Sequence, residues 1–204
     1  MQLIERHGRD DKALRDEAEA CCRWAMEREP NNSMVLAVVA YTRCALDDSP
    51  LQGAELAGRS VRMNPHNPLA WDSLSYARLY SGQLAEAHAI ALKVQQIGSA
   101  APNKFWWDMG LCLTAALTRD EALAIRMAES AVVSAPDFRA ALRQLVVLAA
   151  GSGQQSVARA AADRLKLVES DFSLDRLAHD PDYPVGLMRR AGLLQPDRIL
   201  GVAG

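Results

Sequence analysis

Apolar and small residues recur three and four positions apart in run after run along this chain, and polar residues fill the positions between them. Ala18, Cys22 and Ala25 form one such stripe, with Glu17, Glu19, Arg23 and Glu27 towards water. A 3.6-residue period over runs this long predicts amphipathic helices. The runs stop at regular places. Pro30, Pro65, Pro102 and Pro136 each follow a helical run, at spacings of 35 (65−30), 37 (102−65) and 34 (136−102) residues. Proline has no backbone N–H and clashes with the preceding turn, so each one ends a helix. Asn31-Asn32, Asn64, Asn103 and Asp137 beside them suit turns and N-caps. Gly82 and Gly153 break the runs midway, where the residue past a helix end needs positive φ.

These signals predict a first helix from about Asp10 to Arg28, followed by four helix pairs. The pairs are Ser33–Asp47 with Leu51–Met63, Pro68–Ser81 with Leu84–Ile97, Lys104–Leu117 with Asp120–Ser134, and Phe138–Ala150 with Gln154–Glu169. The few β-branched pairs, such as Val38-Val39 and Val146-Val147, lie inside helix-period runs, so the expected class is all-α. Hydrophobic content of 50% with only 5% aromatic residues fits close helix contact through alanine and leucine.

A design repeated at about 34 residues, as helix–turn–helix, marks an array in which no unit buries its apolar face alone. The clearest copy is Trp71, Leu74, Ser75, Gly82, Ala87 and Ala91. Leu142, Leu145, Gly153, Ala158 and Ala162 repeat it. Trp106, Met109, Gly110, Ala124, Ala128 and Ala131 do so with a short insertion, and Leu36, Val39, Ala40, Gly53, Ala57 and Ser60 form a more degenerate copy. In these residues the chain resembles the tetratricopeptide-repeat (TPR) family over about Asp10 to Ser170. The resemblance implies a right-handed superhelix of antiparallel helix pairs. It divides the chain into an N-terminal segment and half-repeat helix (1–29), four TPR-like pairs (30–170) and a C-terminal capping segment (171–204).

Phe172, Leu174, Leu177, Leu187, Leu193 and Leu194 then predict short amphipathic helices over the last exposed face, as a solenoid end requires for solubility. The stretch DYPVGLMRRAGLLQPD, with Met188 to Leu193 at its centre, resembles the end of the TPR region in bacterial adenylate cyclases and winged-helix transcription regulators. That second resemblance implies an effector domain ahead of Met1 and a regulatory, cytoplasmic role in a bacterial signalling or transcription protein.

Charge and chemistry narrow the classes. With 23 basic and 25 acidic residues the net charge is −2 and there is no polybasic run, so the electrostatic source of nucleic-acid binding is missing. No stretch nears the roughly 20 apolar residues of a membrane span. His7, His66, His88 and His179 form no i, i+4 pair and have no cysteines at zinc-ligand spacing. Cys21, Cys22, Cys44 and Cys112 read as small apolar residues. Asp47-Asp48 and Asp180-Pro181-Asp182 read as turns and caps. No G-x-S-x-G, P-loop or dinucleotide motif is present. The expectation is a non-catalytic module without cofactor or metal.

The TPR resemblance also implies where a guest would lie. First helices line the concave side, with the positions one, five and eight after the opening bulky residue facing inward. These are Ala37, Asp72, Trp107 and Arg143; then Tyr41, Tyr76, Leu111 and Val147; then Cys44, Leu79, Thr114 and Ala150. The candidate binding residues are Tyr41, Asp72, Tyr76, Tyr80, Lys104, Trp107 and Arg143. Trp71 and Trp106 open first helices and are expected in the packing between helices. For Tyr41, Tyr76, Tyr80 and Trp107, recognition and packing stay open alternatives. Some TPR proteins grip a peptide C-terminal carboxylate with lysine, asparagine and arginine at these positions. Ala37, Tyr41, Asp72 and Tyr76 stand there instead and cannot form that clamp. The expected partner is a protein or peptide segment, the chain's own effector domain included. Two further readings are a sensor of a small molecule or peptide and a homodimerisation scaffold.

Overall fold

The computed structural model describes residues 11–46 and 49–203. His7, the Asp47-Asp48 pair and the segment ahead of Asp11 lie outside the described residues. Among those residues are twelve α-helices and no strand. Helix α1 spans Asp11–Arg28, and four pairs follow: α2 (Ser33–Ala45) with α3 (Pro50–Met63), α4 (Pro68–Tyr80) with α5 (Leu84–Gly98), α6 (Lys104–Leu117) with α7 (Glu121–Ser134), and α8 (Arg139–Gly151) with α9 (Gln155–Val168). Short helices α10 (Leu174–His179), α11 (Gly186–Arg190) and α12 (Pro196–Leu200) close the chain with a 3₁₀ turn, Gly201–Ala203. Connections of three or four residues force the partners of a pair to run antiparallel. No helix among the described residues is long and apolar enough to cross a membrane.

Local chemistry fixes the helix starts. Asn32 accepts hydrogen bonds from the N–H groups of Met34 and Val35, Ser49 from Gln52, Asn67 from Leu69 and Asp120 from Leu123. Each satisfies a donor that the first helical turn leaves open. Pro50 and Pro68 occupy the first helical position, where the missing N–H costs nothing. Asn103 and Asp137 serve turns and not caps: Asn103 makes no side-chain cap bond, and Asp137 pairs with Arg164, leaving Phe138 to begin α8 without one. Asn64 serves the turn, accepting from the His66 N–H at 3.1 Å.

The first helices of the second, third and fourth pairs, and α11, end in one recurring bond. Gln83 N–H donates to Arg78 O, Asp120 to Ala115 O, Gln154 to Ala149 O and Leu193 to Met188 O. This 6→1 closure requires a left-handed residue just before the donor. Gly82 (φ 77°), Gly153 (φ 82°) and Gly192 (φ 66°) supply it. In the third pair Arg119 takes the same conformation at φ 68°, and its guanidinium donates to Ala191 O at 3.0 Å.

By contacts the chain divides into two units, Met1–Pro102 and Asn103–Gly204. In the first, α4 packs on both α2 and α3. The core there is small-sided: Leu36, Ala37, Ala40, Ala57, Ala70 and Ala77 are sealed from water. Gly53 sets the approach of α3 to α2, since a Cβ there would lie 2.5 Å from Cys44 Sγ and 3.2 Å from Ala40 O. Ser73 Oγ lies 2.9 Å from Ala37 O and 2.8 Å from Leu69 O, and Ser75 donates to Ala87 O at 2.9 Å. Small hydroxyls thus tie α4 to α2 and α5 where a larger side chain would hold the helices apart.

In the second unit α8 packs against α7 and α6, and α12 and the closing turn pack against α8 and α9. The phrase centred on Met188 seals this end. Met188, Val185 and Ile199 are buried, and Arg189 donates to the carbonyls of Leu177 (3.1 Å), Ala178 (2.9 Å) and Asp180 (2.9 Å). Those are the open carbonyls at the end of α10. Arg176 pairs with Asp171 and Asp180 and holds both carboxyls below the usual range; for Asp180 the Asp182 N–H contributes most.

Candidate functional site

Four of the candidate residues meet in the first unit. Asp72, Tyr76 and Tyr80 sit at four-residue steps on α4, so they share a face. Tyr41 reaches them from α2. Its ring meets Tyr76 edge-on at 5.1 Å between centroids and 79° between planes, and the two side chains share a hydrogen bond. Tyr80 stacks on Tyr76 at 6.4 Å and 25°. Both are geometries that the aromatic quadrupole favours. Tyr76, at the centre, is only 7% exposed, whereas Tyr41 and Tyr80 are half-buried and carry the cluster to the surface.

The electrostatics of the cluster are unusual. Asp72 is 2% exposed, and no described residue gives it a hydrogen bond or an ion pair. Burial raises its carboxyl well above the ordinary value, and nothing lowers it again. Tyr76 is raised as well, first by burial and then by Tyr41, Asp72 and Tyr80. Arg78 is the single basic residue of α4, and it is already engaged, with Glu86 at 3.1 Å and Gln83 Oε1 at 2.9 Å.

The remaining three candidates belong to the second unit. Lys104 Nζ lies 2.7 and 2.5 Å from the two oxygens of Asp108 and 2.9 Å from Ser130 Oγ; Ser130 in turn donates to Asp108 at 2.7 Å. Arg143, expected to face inward as a binding residue, is buried and donates from Nε (3.0 Å) and Nη2 (2.8 Å) to Glu169 Oε2. Tyr183 donates to the other oxygen of Glu169 at 2.7 Å. Burial is the main cause that raises the Tyr183 hydroxyl, with its bond to Glu169 next. Trp107 is 2% exposed, and its indole N–H has no acceptor among the described residues.

The opening tryptophans, Trp71 and Trp106, are half-buried and contact neighbouring helices. Trp71 donates from Nε1 to Pro65 O at 2.9 Å, and Lys93 Nζ sits 3.5 Å from its ring centroid, a cation–π contact. Trp106 and Phe105 pack on Phe138, each at 5.1 Å between centroids. Sequence reasoning missed Glu169, Tyr183, Asp108 and Ser130 as partners. Only Lys104 and Asp108, four apart on one helix, carried a readable pairing signal.

Among the described cysteines all are free thiols, with Cys21 exposed and the rest buried. Burial pushes Cys112 up to about 12, so it stays a thiol at neutral pH. An apolar groove of about 750 Å³ also runs between α1 and α2, lined by Cys22, Trp24, Ala25, Val35, Val38 and others.

No family model matches the chain, and no curated protein sequence is similar to it. Solved structures are. TTC0263, a thermophilic TPR protein of Thermus thermophilus, matches with a TM-score of 0.67 at 19% identity, covering 98% of both chains. PilF of Pseudomonas aeruginosa matches at 0.65 and 14% identity, covering 94% of this chain and 82% of its own. YrrB, a TPR protein with an unusual peptide-binding site, matches at 0.57 and 12% identity, covering 89% and 97%. At such identities the likeness is one of fold, and the fold of this chain is that of the tetratricopeptide proteins.

Proposed function

We propose that this chain is a non-catalytic protein-interaction module that holds a peptide or protein segment against the tyrosine-lined face of α2 and α4. The observation that carries the reading is the cluster itself. Tyr41 and Tyr80 both contact Tyr76, which stands one turn from a carboxylate to which no described residue is paired, and the Tyr41 and Tyr80 rings are partly exposed. Tyrosine suits recognition because it offers a large rigid area with a polar edge. A preformed array also loses little freedom when it binds. YrrB, which shares the fold, has a peptide-binding site. The more specific role, a cytoplasmic regulatory array in a bacterial signalling or transcription protein, rests on the phrase from Met188 to Leu193.

Selection from a displayed library of random peptides, each roughly three helical turns long if helical, tests the reading. The wild-type chain should enrich a related set of peptides, and the double variant Tyr41→Ala/Tyr80→Ala should not. Both tyrosines are half-buried, so that variant should keep a cooperative melt. Equal enrichment by both chains, or none by the wild type, sinks the proposal.

A further inference from the structure

The described residues contain three buried acids, and two of them are answered from within the chain. Asp108 has Lys104 and Ser130 within hydrogen-bond distance; Glu169 has Arg143 and Tyr183. Asp72 has no such partner among the described residues, although it is as deeply buried as they are. Burying a carboxylate without a partner is among the costliest things a fold can do. Asp72 is buried with no partner among the described residues, on the helix face that also carries Tyr76 and Tyr80.

We infer that Asp72 is the counter-charge for a cation brought by the guest, a lysine ammonium or an arginine guanidinium. The inference rests on the proposed interaction role of the same face, and it names the chemistry of the partner. A cation supplies the hydrogen-bond donors and the positive charge that no described residue provides to Asp72. The tyrosines fit the same guest. Tyr76 lies one turn along α4 from the carboxylate, and the rings of Tyr41 and Tyr80 stand 5.1 and 6.4 Å from its centroid. Aromatic faces attract ammonium and guanidinium groups, and they cover the aliphatic stem that leads to either. A neutral guest would leave the carboxylate unanswered, and an anionic one would be repelled by it. The site is therefore opposite in sign to the carboxylate clamp that its residue types exclude.

The test extends the peptide selection to Asp72→Asn, a change of nearly equal shape. Wild-type peptides should carry lysine or arginine at one aligned position. The Asp72→Asn chain should lose that preference and keep the flanking aromatic or apolar one. A synthetic copy of the best peptide, with its cation replaced by norleucine, should lose at least about tenfold in affinity for the wild type. Its affinity for Asp72→Asn should be nearly unchanged by the same replacement. Circular dichroism melts confirm that both chains are folded. Wild-type peptides without a preferred cation, or a preference that survives in Asp72→Asn, overturn the inference while leaving the interaction role intact. Failure of the wild type to select any peptide over Tyr41→Ala/Tyr80→Ala removes the interaction role, and this inference with it.

Discussion

In the second unit each buried carboxylate has a cation and a hydroxyl aimed at it: Lys104 and Ser130 at Asp108, Arg143 and Tyr183 at Glu169. In the first unit the buried Asp72 has neither among the described residues, and hydroxyl-to-carbonyl bonds from Ser73 and Ser75 do the joining instead. The contrast falls on equivalent positions. Asp72, Trp107 and Arg143 each follow the opening bulky residue of a first helix, yet Arg143 is spent on an internal lock and Asp72 is not. One repeat position can therefore serve cohesion in one unit and remain open in another. A charge at such a position becomes informative only once its partners are counted.

The lock gives the largest expected effect. Glu169→Ala removes the acceptor shared by Arg143 and Tyr183 and takes the carboxylate from a buried guanidinium, which should cost about 3–5 kcal/mol. Urea unfolding read by circular dichroism measures it. A loss below about 1 kcal/mol would mean that water reaches Arg143 and that the two units differ less than their contacts imply.

In the first unit the joint is steric. Gly53→Ala would place a methyl 2.5 Å from Cys44 Sγ and 3.2 Å from the Ala40 carbonyl, so α3 must move off α2. Overpacking of this kind should cost about 1–3 kcal/mol. A double-mutant cycle with Cys44→Ala separates the two contacts, because Cys44 is buried within α2 and its truncation has a cost of its own. A favourable coupling between the two changes assigns the loss to Sγ, and a coupling near zero assigns it to the backbone contact at Ala40.

Much of this fold was legible because helices are local. The proline spacing and the 3.6-residue stripes placed the helices of all four pairs close to their observed ends, and Gly82 and Gly153 marked two of the turns. Arg119 hid the third, because the sequence offers no glycine where the backbone turns left-handed. Side-chain partnerships were harder to see. Arg143 meets Glu169 across 26 residues, and Glu169 meets Tyr183 across 14. Such distances are set by how α8, α9 and the closing segment pack, and no period encodes them. The tryptophans show the same limit. Trp106 and Trp107 are neighbours in sequence, and only the packing reveals that Trp107 is the more deeply buried. The tyrosine cluster was readable as positions on a face, since Tyr76 and Tyr80 are four apart. That no described residue pairs with Asp72 was not, because a missing contact leaves no trace in sequence.

A smaller effect is expected at Tyr80. Tyr80→Ala removes one half-exposed ring that stacks on Tyr76, a contact worth about 0.5–1.5 kcal/mol beyond area burial. Thermal melts should show a modest loss that leaves the transition cooperative. A loss as large as that of Glu169→Ala would place Tyr80 in the core and leave the cluster no accessible edge.

The last prediction concerns Asp72 alone and has the opposite sign. Its folded pKa is raised above that of the unfolded chain, so the folded state holds the proton to higher pH. Below about pH 4, the ordinary aspartate range, both states are protonated and the residue adds no penalty. As pH rises from there, the unfolded chain releases its proton first, and stability falls until the folded carboxyl also ionises. Asp72→Asn has no proton to release. Its melting temperature should therefore lie close to that of the wild type near pH ~4 and increasingly above it towards pH ~7. The other acids are common to both chains and cancel in the difference. Melts of the two proteins between about pH 4 and 8 decide the matter. A difference that stays flat across that range would show that Asp72 finds a cation in the free protein after all, and the two units would then treat buried charge alike.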